Sequence, residues 1–448
     1  MPINETHDPN LKSFVDSANA EGADFPIQNL PLVTFTFAGS HDEPTRLGVA
    51  IGDEVLDLMA ASEENFLAED LQLNGPDSFL DLFEALEAGN EYSEQLRAWA
   101  SRELRAGSRL SREKKLRTRL MRRLDEVIPL PPLQVPNYTD FYASIHHAST
   151  VGSMFRPDNP LLPNYKHVPI GYHGRASSIL ASGSDIVRPR GQTKADDAAA
   201  PSFGPCKMLD YEMEVGALVA MGNELAEPIS LAETDDFLFG LLLVNDWSAR
   251  DMQKWEYQPL GPFLAKNFAT SISPFVVTLD ALEPFRCAGP SRGPGDPEPL
   301  EYLRDPEHFA RGGFDITLEV FLRSAQMREK EIPEVRLSRG SFRDMYWTFG
   351  QMLTHHTSNG CNMIPGDLIA SGTVSGPTPE SRGCMLELTW QGHGPDGKPL
   401  PRKPIALPSG ETRTFLQDGD ELIMRGFCQK PGHTRIGFGE CRGLIVPE

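Results

Sequence analysis

A β-dominated α+β fold, with a small N-terminal β unit and a large C-terminal β-rich domain, is what this sequence predicts. Three observations carry that expectation. Short apolar runs broken by Gly and Pro recur through most of the 448 residues, as strands joined by turns require. Helical periodicity is confined to a few stretches. A Pro-rich segment, IPLPPLQVP (128–136), separates the two halves and is stiff enough to mark a domain boundary.

Taken in order, residues 1–23 are polar and are expected to form a loosely ordered tail. An N-terminal domain is expected over 24–130 and a larger one over 131–448. Within 31–58, LVTFTF and LGVAIGDEVLDL alternate as half-buried strands do. Over 77–128 the pattern turns helical. Leu80, Phe83, Ala85 and Leu86 fit one face, Leu96, Trp99, Ala100 and Leu104 another, and Asp77 or Ser78 can cap the first helix. Beyond the connector, EMEVGALVAM, FLFGLLLVN, FVVTLD, FDITLEVFL, DLIASGTV, MLELTW, DELIMRGF and TRIGFGE read as strands, and YWTFGQMLTHHTSNG (346–360) as the clearest helix. Residues 286–313 are dense in Pro and Gly and read as a surface insertion.

The charge balance excludes some functions. Lys and Arg number 42 against 63 Asp and Glu, a formal net charge of −21, whereas nucleic-acid binding needs a basic domain or stripe. The run from Arg97 to Arg123 does hold eleven basic and two acidic residues. It lacks aromatic interleaving or a Gly-rich loop, so a solvated helix pair explains it better than an anion-binding patch. None of the six cysteines forms a C-x-x-C pair, which fits reduced thiols in a reducing compartment. The polar N-terminus lacks the features of a signal peptide and no apolar run is long enough to span a membrane. A cytoplasmic protein is expected.

The densest concentration of chemistry lies between Leu243 and Lys266. A strand-like apolar run delivers Asn245 and Asp246, and Arg250, Asp251, Gln253, Lys254, Tyr257 and Lys266 follow. Such a density of chargeable groups suits a reaction centre handling anions. Glu212 and Glu214 sit two apart at the start of another strand and so face the same side. They could be an exposed edge, or half of an oxygen-ligand site completed by Asp246 and Asp140. Four carboxylates would select Mg²⁺, Ca²⁺ or Mn²⁺ rather than zinc. His146 and His147 follow Asp140 closely, and His355 and His356 lie in the expected helix. A lone His is more often structural, but His147 has Asp140, tyrosines and Arg156 for company.

Long motifs then point to a family. DFPIQNLP, YTDFYASIHHASTVGSMFR, PIGYHGRAS, LDYEMEVG, NDWSARDMQKWEYQPLGPFLAKNFAT, LTHHTSNGCN, PGDLIASGTVSGP and MLELTW closely resemble the fumarylacetoacetase family, from about Asp24 to the C-terminus. That resemblance implies a small N-terminal SH3-like barrel, a C-terminal mixed-β roll and a homodimer. It implies Asp140, Glu212, Glu214 and Asp246 as Ca²⁺ ligands, with Lys266, Thr270 and Asp246 at a neighbouring Mg²⁺ position. It implies His147 as catalytic base, Glu387 as its orienting carboxylate, and Arg250, Gln253 and Lys266 as stabilisers of developing negative charge. Tyr142, Arg156, Gln253, Tyr257 and Thr373 match substrate contacts. Ile145 and His146 depart from the polar residues expected before the base, so His147 is preferred over His146 by its register from Asp140.

The implied reaction is hydrolysis of a carbon–carbon bond in a small diketo dicarboxylate, 4-fumarylacetoacetate, the last step of tyrosine and phenylalanine breakdown. Two other functions stand beside it. An acylpyruvate hydrolase, or a 2-oxo acid decarboxylase or isomerase on the same scaffold, would keep the metal ligands but change the His–Glu pair and the carboxylate clamps. A non-catalytic metal- and dicarboxylate-binding protein would have lost the base or a ligand.

Overall fold

The structure is a computed structural model that describes residues 2–37, 44–68, 71 and 81–448. Its centre is a 13-stranded sheet. Along its main path the order is Met121–Arg123, Glu54–Asp57, Arg46–Ile51, Leu32–Phe37, Phe275–Thr278, Leu238–Asp246, Met213–Val219, Leu368–Ala370, Tyr138–Phe141 and Gly171–His173. The N-terminal meander thus joins the C-terminal strands through one antiparallel pairing, Leu32 opposite Val276. A second sheet of five strands runs Val335–Ser341, Thr317–Arg323, Glu421–Cys428, Ile436–Val446 and Asp185–Val187. Sheets outweigh helices, as the recurring short apolar runs require.

The run FLFGLLLVN explains the centre. Every residue of Leu238–Asp246 is buried, because both faces of this strand are covered. Alternate side chains point to opposite faces. Leu241 and Leu243 pack with Val215, Ala217, Val320, Met424 and Phe438, between the two sheets. Leu242 and Val244 pack with Leu86, Leu96 and Trp99 from the N-terminal half.

The helix expected after residue 77 is found over Leu82–Leu104, interrupted at Gly89, whose φ of 78° breaks the helical run. Asp81 caps it by accepting from the Glu84 amide; Asp77, Ser78 and Leu80 lie outside the described residues. Its buried face begins Leu82, Ala85, Leu86, while Phe83 is largely exposed. The basic run is mostly a solvated surface paired locally, as in Arg109 with Glu113 and Arg119 with Glu64. Arg97 is different. It is fully buried and its Nη1 lies 2.5 Å from Asp280 Oδ2 in the C-terminal half.

That pair also corrects the reading of residues 1–23. Within it, residues 4–7 and the core residues Val15 and Ala18 are docked rather than loose. Asn4 Nδ2 donates to Asp280 Oδ1 (3.0 Å), the His7 ring meets the Asp280 carbonyl (2.7 Å), and Thr6 reaches Arg97. Polar composition hid a buried network. Three strand expectations also change. MLELTW forms a helical turn, Met385–Leu388, because the Asp210 carboxylate accepts from the amides of Met385 and Leu386 at its start (2.8 and 2.9 Å). FVVTLD ends as a strand at Thr278, which caps the Leu279–Leu282 helix. DLIASGTV pairs only over Leu368–Ala370, since Gly372 turns with φ of 74° where a Cβ would strike the Phe141 carbonyl at 2.1 Å. The 346–360 helix is found over Phe349–Thr357, closed by a Thr348–Gln351 capping box. No described helix is long and apolar enough to cross a membrane.

Candidate active site

Strand register builds the acidic centre. Tyr138–Phe141 runs parallel to Leu368–Ala370 and places Asp140 opposite both Ala370 and, across an antiparallel pair, Tyr172. Asp246 ends the central strand opposite Thr270. Glu212 precedes and Glu214 lies within the neighbouring strand, where Met213 faces Asn245, and the Glu212 amide donates to Asn245 Oδ1 (3.1 Å). One carboxylate oxygen from each of Asp140, Glu212, Glu214 and Asp246 lies within 4.8 Å of the others, and all four residues are buried.

Four buried carboxylates at that spacing repel one another and resist ionisation. Burial, then the Asp246 charge, pushes the Asp140 carboxyl well above the usual carboxylate range. Burial, then Asp140 and Glu212, does the same to Glu214. Glu212 goes the other way. Burial opposes its charge, but the Lys266 ammonium, the Arg250 guanidinium and His147 together hold its carboxyl well below the usual range. Lys266 Nζ donates to Asp246 Oδ2 (2.7 Å) and to Glu212 Oε2 (2.9 Å). Burial would discharge it, yet Asp246 and Glu212 raise it above the ordinary lysine value. Thr270 Oγ1 lies 3.3 Å from Asp246 Oδ1.

Whether this set fits a hard divalent cation can be asked of its unused atoms. Among the described residues, Asp140 Oδ1 and Glu214 Oε1 are buried without a hydrogen-bond partner. Unpartnered carboxyl oxygens in an all-oxygen set are what Ca²⁺ or Mg²⁺ takes, so the residues fit. Lys266 cannot ligate through its side chain while protonated, since an ammonium has no lone pair. It serves as a counter-charge.

Beside the quartet is a His–carboxylate pair. His147 lies in the Ile145–Phe155 helix, whose cap, Ser144, accepts from the His147 amide. His147 Nδ1 is 2.6 Å from Glu387 Oε2. Glu387 Oε2 also accepts from Ser375 Oγ (2.7 Å) and Cys384 Sγ (3.3 Å). Burial opposes the Glu387 charge, but His147 and those donors keep its carboxyl below the usual range. With Nδ1–H given to Glu387, the lone pair of neutral His147 sits on Nε2. His146 is half-buried and outside this pair.

The remaining candidates surround these two groups. Arg250 Nη1 donates to Glu212 Oε1 (2.6 Å) and Gln253 Oε1 (3.1 Å), and Nε to Asp210 Oδ2 (2.9 Å). Among the described residues Arg250 Nη2 and Thr373 Oγ1 are buried without partners. The Tyr142 ring meets the His147 ring edge-on at 5.2 Å. The Tyr257 ring lies 5.9 Å from Phe155, next to Arg156. Arg156 Nη2 donates to the Pro160 carbonyl (3.0 Å), so its fork is partly committed in this structure. His355 and His356 are elsewhere, held by Tyr302 and Thr139.

Two residues of the site lie within the quoted motifs LDYEMEVG and PIGYHGRAS but had no role assigned there. Asp210, completely buried, accepts from Arg250 and from both amides that start the Glu387 turn. It ties the cationic and the His–Glu halves together. Tyr172 Oη lies 2.7 Å from Asp246 Oδ2 and 3.0 Å from Asp140 Oδ2. A lone Asp before a strand and a Tyr between Gly and His look like turn residues; only three-dimensional pairing marks them.

A pH dependence follows from the quartet. In cation-free protein Asp140 and Glu214 titrate above their unfolded range of about 4. The folded chain therefore holds more protons than the unfolded one across that window, and stability falls as pH rises through it. A bound cation favours the ionised forms and removes that loss. The melting temperature of chelated protein should rise more on adding Ca²⁺ at about pH 8 than at about pH 5. An equal rise at both would contradict the assignment.

Comparison with known proteins accounts for nearly the whole chain. Residues 28–131 match the family model described as Fumarylacetoacetase N-terminal, and residues 137–446 that described as Fumarylacetoacetate (FAA) hydrolase C-terminal. The chain is 46% identical to a fumarylacetoacetase of Arabidopsis thaliana over 441 residues, covering 98% of this chain and 99% of that one. It is 46% identical to the Bos taurus enzyme over 434 residues (96% and 97%) and 45% identical to the Homo sapiens enzyme over 439 (96% and 97%). With both domain models matched and likeness at that level end to end, this chain belongs to the fumarylacetoacetase family.

Proposed function

We propose that this protein hydrolyses 4-fumarylacetoacetate to fumarate and acetoacetate, the last step of tyrosine and phenylalanine breakdown. Full-length likeness to fumarylacetoacetases, N-terminal domain included, supports that substrate over the acylpyruvate and 2-oxo acid alternatives. The single observation that carries the chemistry is the 2.6 Å His147–Glu387 pair beside the acidic quartet. A base without metal ligands, or ligands without a base, would not suit hydrolysis.

Asp140, Glu212, Glu214 and Asp246 would hold the cation, with Ca²⁺ the reading for the quartet and Mg²⁺ for a position near Asp246 and Thr270. When bound it supplies Lewis-acid polarisation of the diketone oxygens. Everything else falls to the chain. His147 Nε2 takes a proton from water, whose oxygen then bonds to the carbonyl carbon next to the alkene. Glu387 fixes the ring tautomer and offsets the imidazolium charge. Collapse of the tetrahedral alkoxide breaks the carbon–carbon bond, releases fumarate and leaves its electron pair on the acetoacetate enolate. Arg250, through its unpartnered Nη2, Gln253 and Lys266 stabilise that negative charge, a contribution of about 10²–10³ in rate for one such donor. The proton taken by His147 balances the reaction when it reaches the enolate carbon. Arg156, Tyr142, Tyr257, Gln253 and Thr373 hold the two carboxylate ends.

Two further features fit the family. Phe155, Leu260, Phe263 and Leu264 are exposed around the Tyr257 turn, Leu260 to 97%, and a second copy of the chain in a homodimer would cover such a face. All six cysteines are free thiols, which suits the cytoplasm.

Purified protein should consume 4-fumarylacetoacetate and form fumarate and acetoacetate in equal amounts. His147→Ala should lose about 10²-fold or more of kcat with metal content intact, whereas His146→Ala should keep most activity. Reversed results would move the base to His146. Arg156→Leu should lose efficiency mainly on the dicarboxylate, and Arg156→Lys should not restore it, because an ammonium cannot form a bidentate fork. An equal loss on a monocarboxylate diketone would show that Arg156 is not a carboxylate clamp.

A further inference from the structure

The 286–313 segment is more than a surface insertion. Its ends are zipped together by the pairing of Arg286–Cys287 with Gly313–Phe314. Its middle is fastened into the body of the protein at several points: Leu303 is buried in the core, the His308 ring meets Thr348 Oγ1 (2.7 Å), and Arg292 reaches toward the reaction centre. The Arg292 guanidinium lies over two rings, 4.2 Å from the Tyr346 centroid and 4.3 Å from that of Trp347. Arg292 Nη1 donates to Tyr346 Oη (2.5 Å) and to the Lys166 carbonyl (2.8 Å). Tyr346 Oη in turn donates to Asp296 Oδ2 (3.1 Å), which also accepts from the Gly293 amide (3.2 Å). The Lys166 ammonium pairs with Asp296 Oδ1. Arg292, Tyr346, Asp296 and Lys166 therefore close a ring in which the Tyr346 hydroxyl both accepts and donates. The Asp296 side chain is only 7% exposed while that of Lys166 is 34% exposed, so the ion pair is partly screened.

From Tyr346 the contacts lead to the reaction centre. The Tyr346 amide donates to the Ala143 carbonyl (2.8 Å). Its ring lies 6.0 Å from the Tyr165 ring. Tyr165 Oη donates to the Tyr142 carbonyl (2.9 Å), and its ring meets the Tyr142 ring at 6.0 Å and 88°. Tyr142 then packs against His147. Two successive carbonyls, at 142 and 143, are thus held from the side on which the insertion is anchored. Ala143 directly precedes Ser144, the cap of the helix that carries His147.

We propose that the 286–313 segment is a positioning brace: Arg292 and Asp296 lock Tyr346, which with Tyr165 sets the backbone at Tyr142–Ala143 and so the placement of Tyr142 and His147. The proposal rests on the reading that His147 is the base and Tyr142 faces the substrate. Arg292, Asp296 and Tyr346 are positioning residues and touch no reacting atom. A misplacement of about 1 Å at a reacting group can cost about 10²-fold in rate, so a contact remote from the chemistry can matter.

The test uses Tyr346→Phe, which keeps the ring and removes the hydroxyl joining Arg292 to Asp296, and Arg292→Leu, which removes the guanidinium. Each is measured for kcat and KM on 4-fumarylacetoacetate, melting temperature and bound metal. Both should lose about tenfold or more in kcat/KM with metal content unchanged and the protein folded at the assay temperature. Arg292→Lys should restore stability more than efficiency, since an ammonium cannot stack and donate as the fork does. In a Tyr142→Phe background, Arg292→Leu should cost clearly less than alone, because coupled residues are not additive. Wild-type kcat/KM in folded Tyr346→Phe and Arg292→Leu, or fully additive losses in the double variant, would overturn the brace. If Arg292→Leu proves too unstable to assay, Tyr346→Phe alone decides by the same criterion. Full activity in His147→Ala would instead overturn the reading on which the brace rests.

Discussion

Four carboxylates are buried within 4.8 Å of one another at the end of the central strands, and the rest of the site is arranged around that constraint. Several kcal/mol attach to each uncompensated buried ion. Lys266 and Arg250 answer part of the charge by pairing with Asp246 and Glu212. Asp210 takes one edge of Arg250, so the guanidinium is shared and cannot neutralise the quartet. The oxygens left over on Asp140 and Glu214 suit a hard cation, which would supply Lewis-acid chemistry there.

The fold supplies what such a centre needs. A strand buried on both faces and paired on both sides can deliver Asp246 into the protein interior. Parallel and antiparallel neighbours then bring Asp140 and the 212–214 segment alongside by register alone. The His147–Glu387 pair arrives from outside the sheet, on two short helical segments that share their anchoring with it. Asp210 holds the Glu387 turn and Arg250 at once. Changes at Asp210 should therefore reach both the Arg250 side and the Glu387 side of the candidate site.

Much of this was legible in the sequence because period-two burial and local motifs leave marks. The apolar run ending at Asp246 and the Glu212–Glu214 spacing show strand ends carrying carboxylates. Resemblance to the family then singled out His147 and Glu387, which no spacing could have joined across 240 residues. What stayed hidden has a common cause. MLELTW alternates like a strand and yet turns helical, because a carboxylate 175 residues away binds its first amides. Residues 1–23 look like a polar tail, but Asn4, Thr6 and His7 are polar in order to meet Arg97 and Asp280. In each case a buried hydrogen bond from distant sequence overrode the local pattern.

The central claim is that the quartet must hold a hard divalent cation for the His147–Glu387 pair to hydrolyse 4-fumarylacetoacetate. The direct measurement is turnover after exhaustive chelation, with metal removal confirmed by elemental analysis, followed by titration with Ca²⁺ and with Mg²⁺. Activity is expected to disappear on chelation and to return as the cation is restored. Full turnover by protein shown to be free of metal would contradict it.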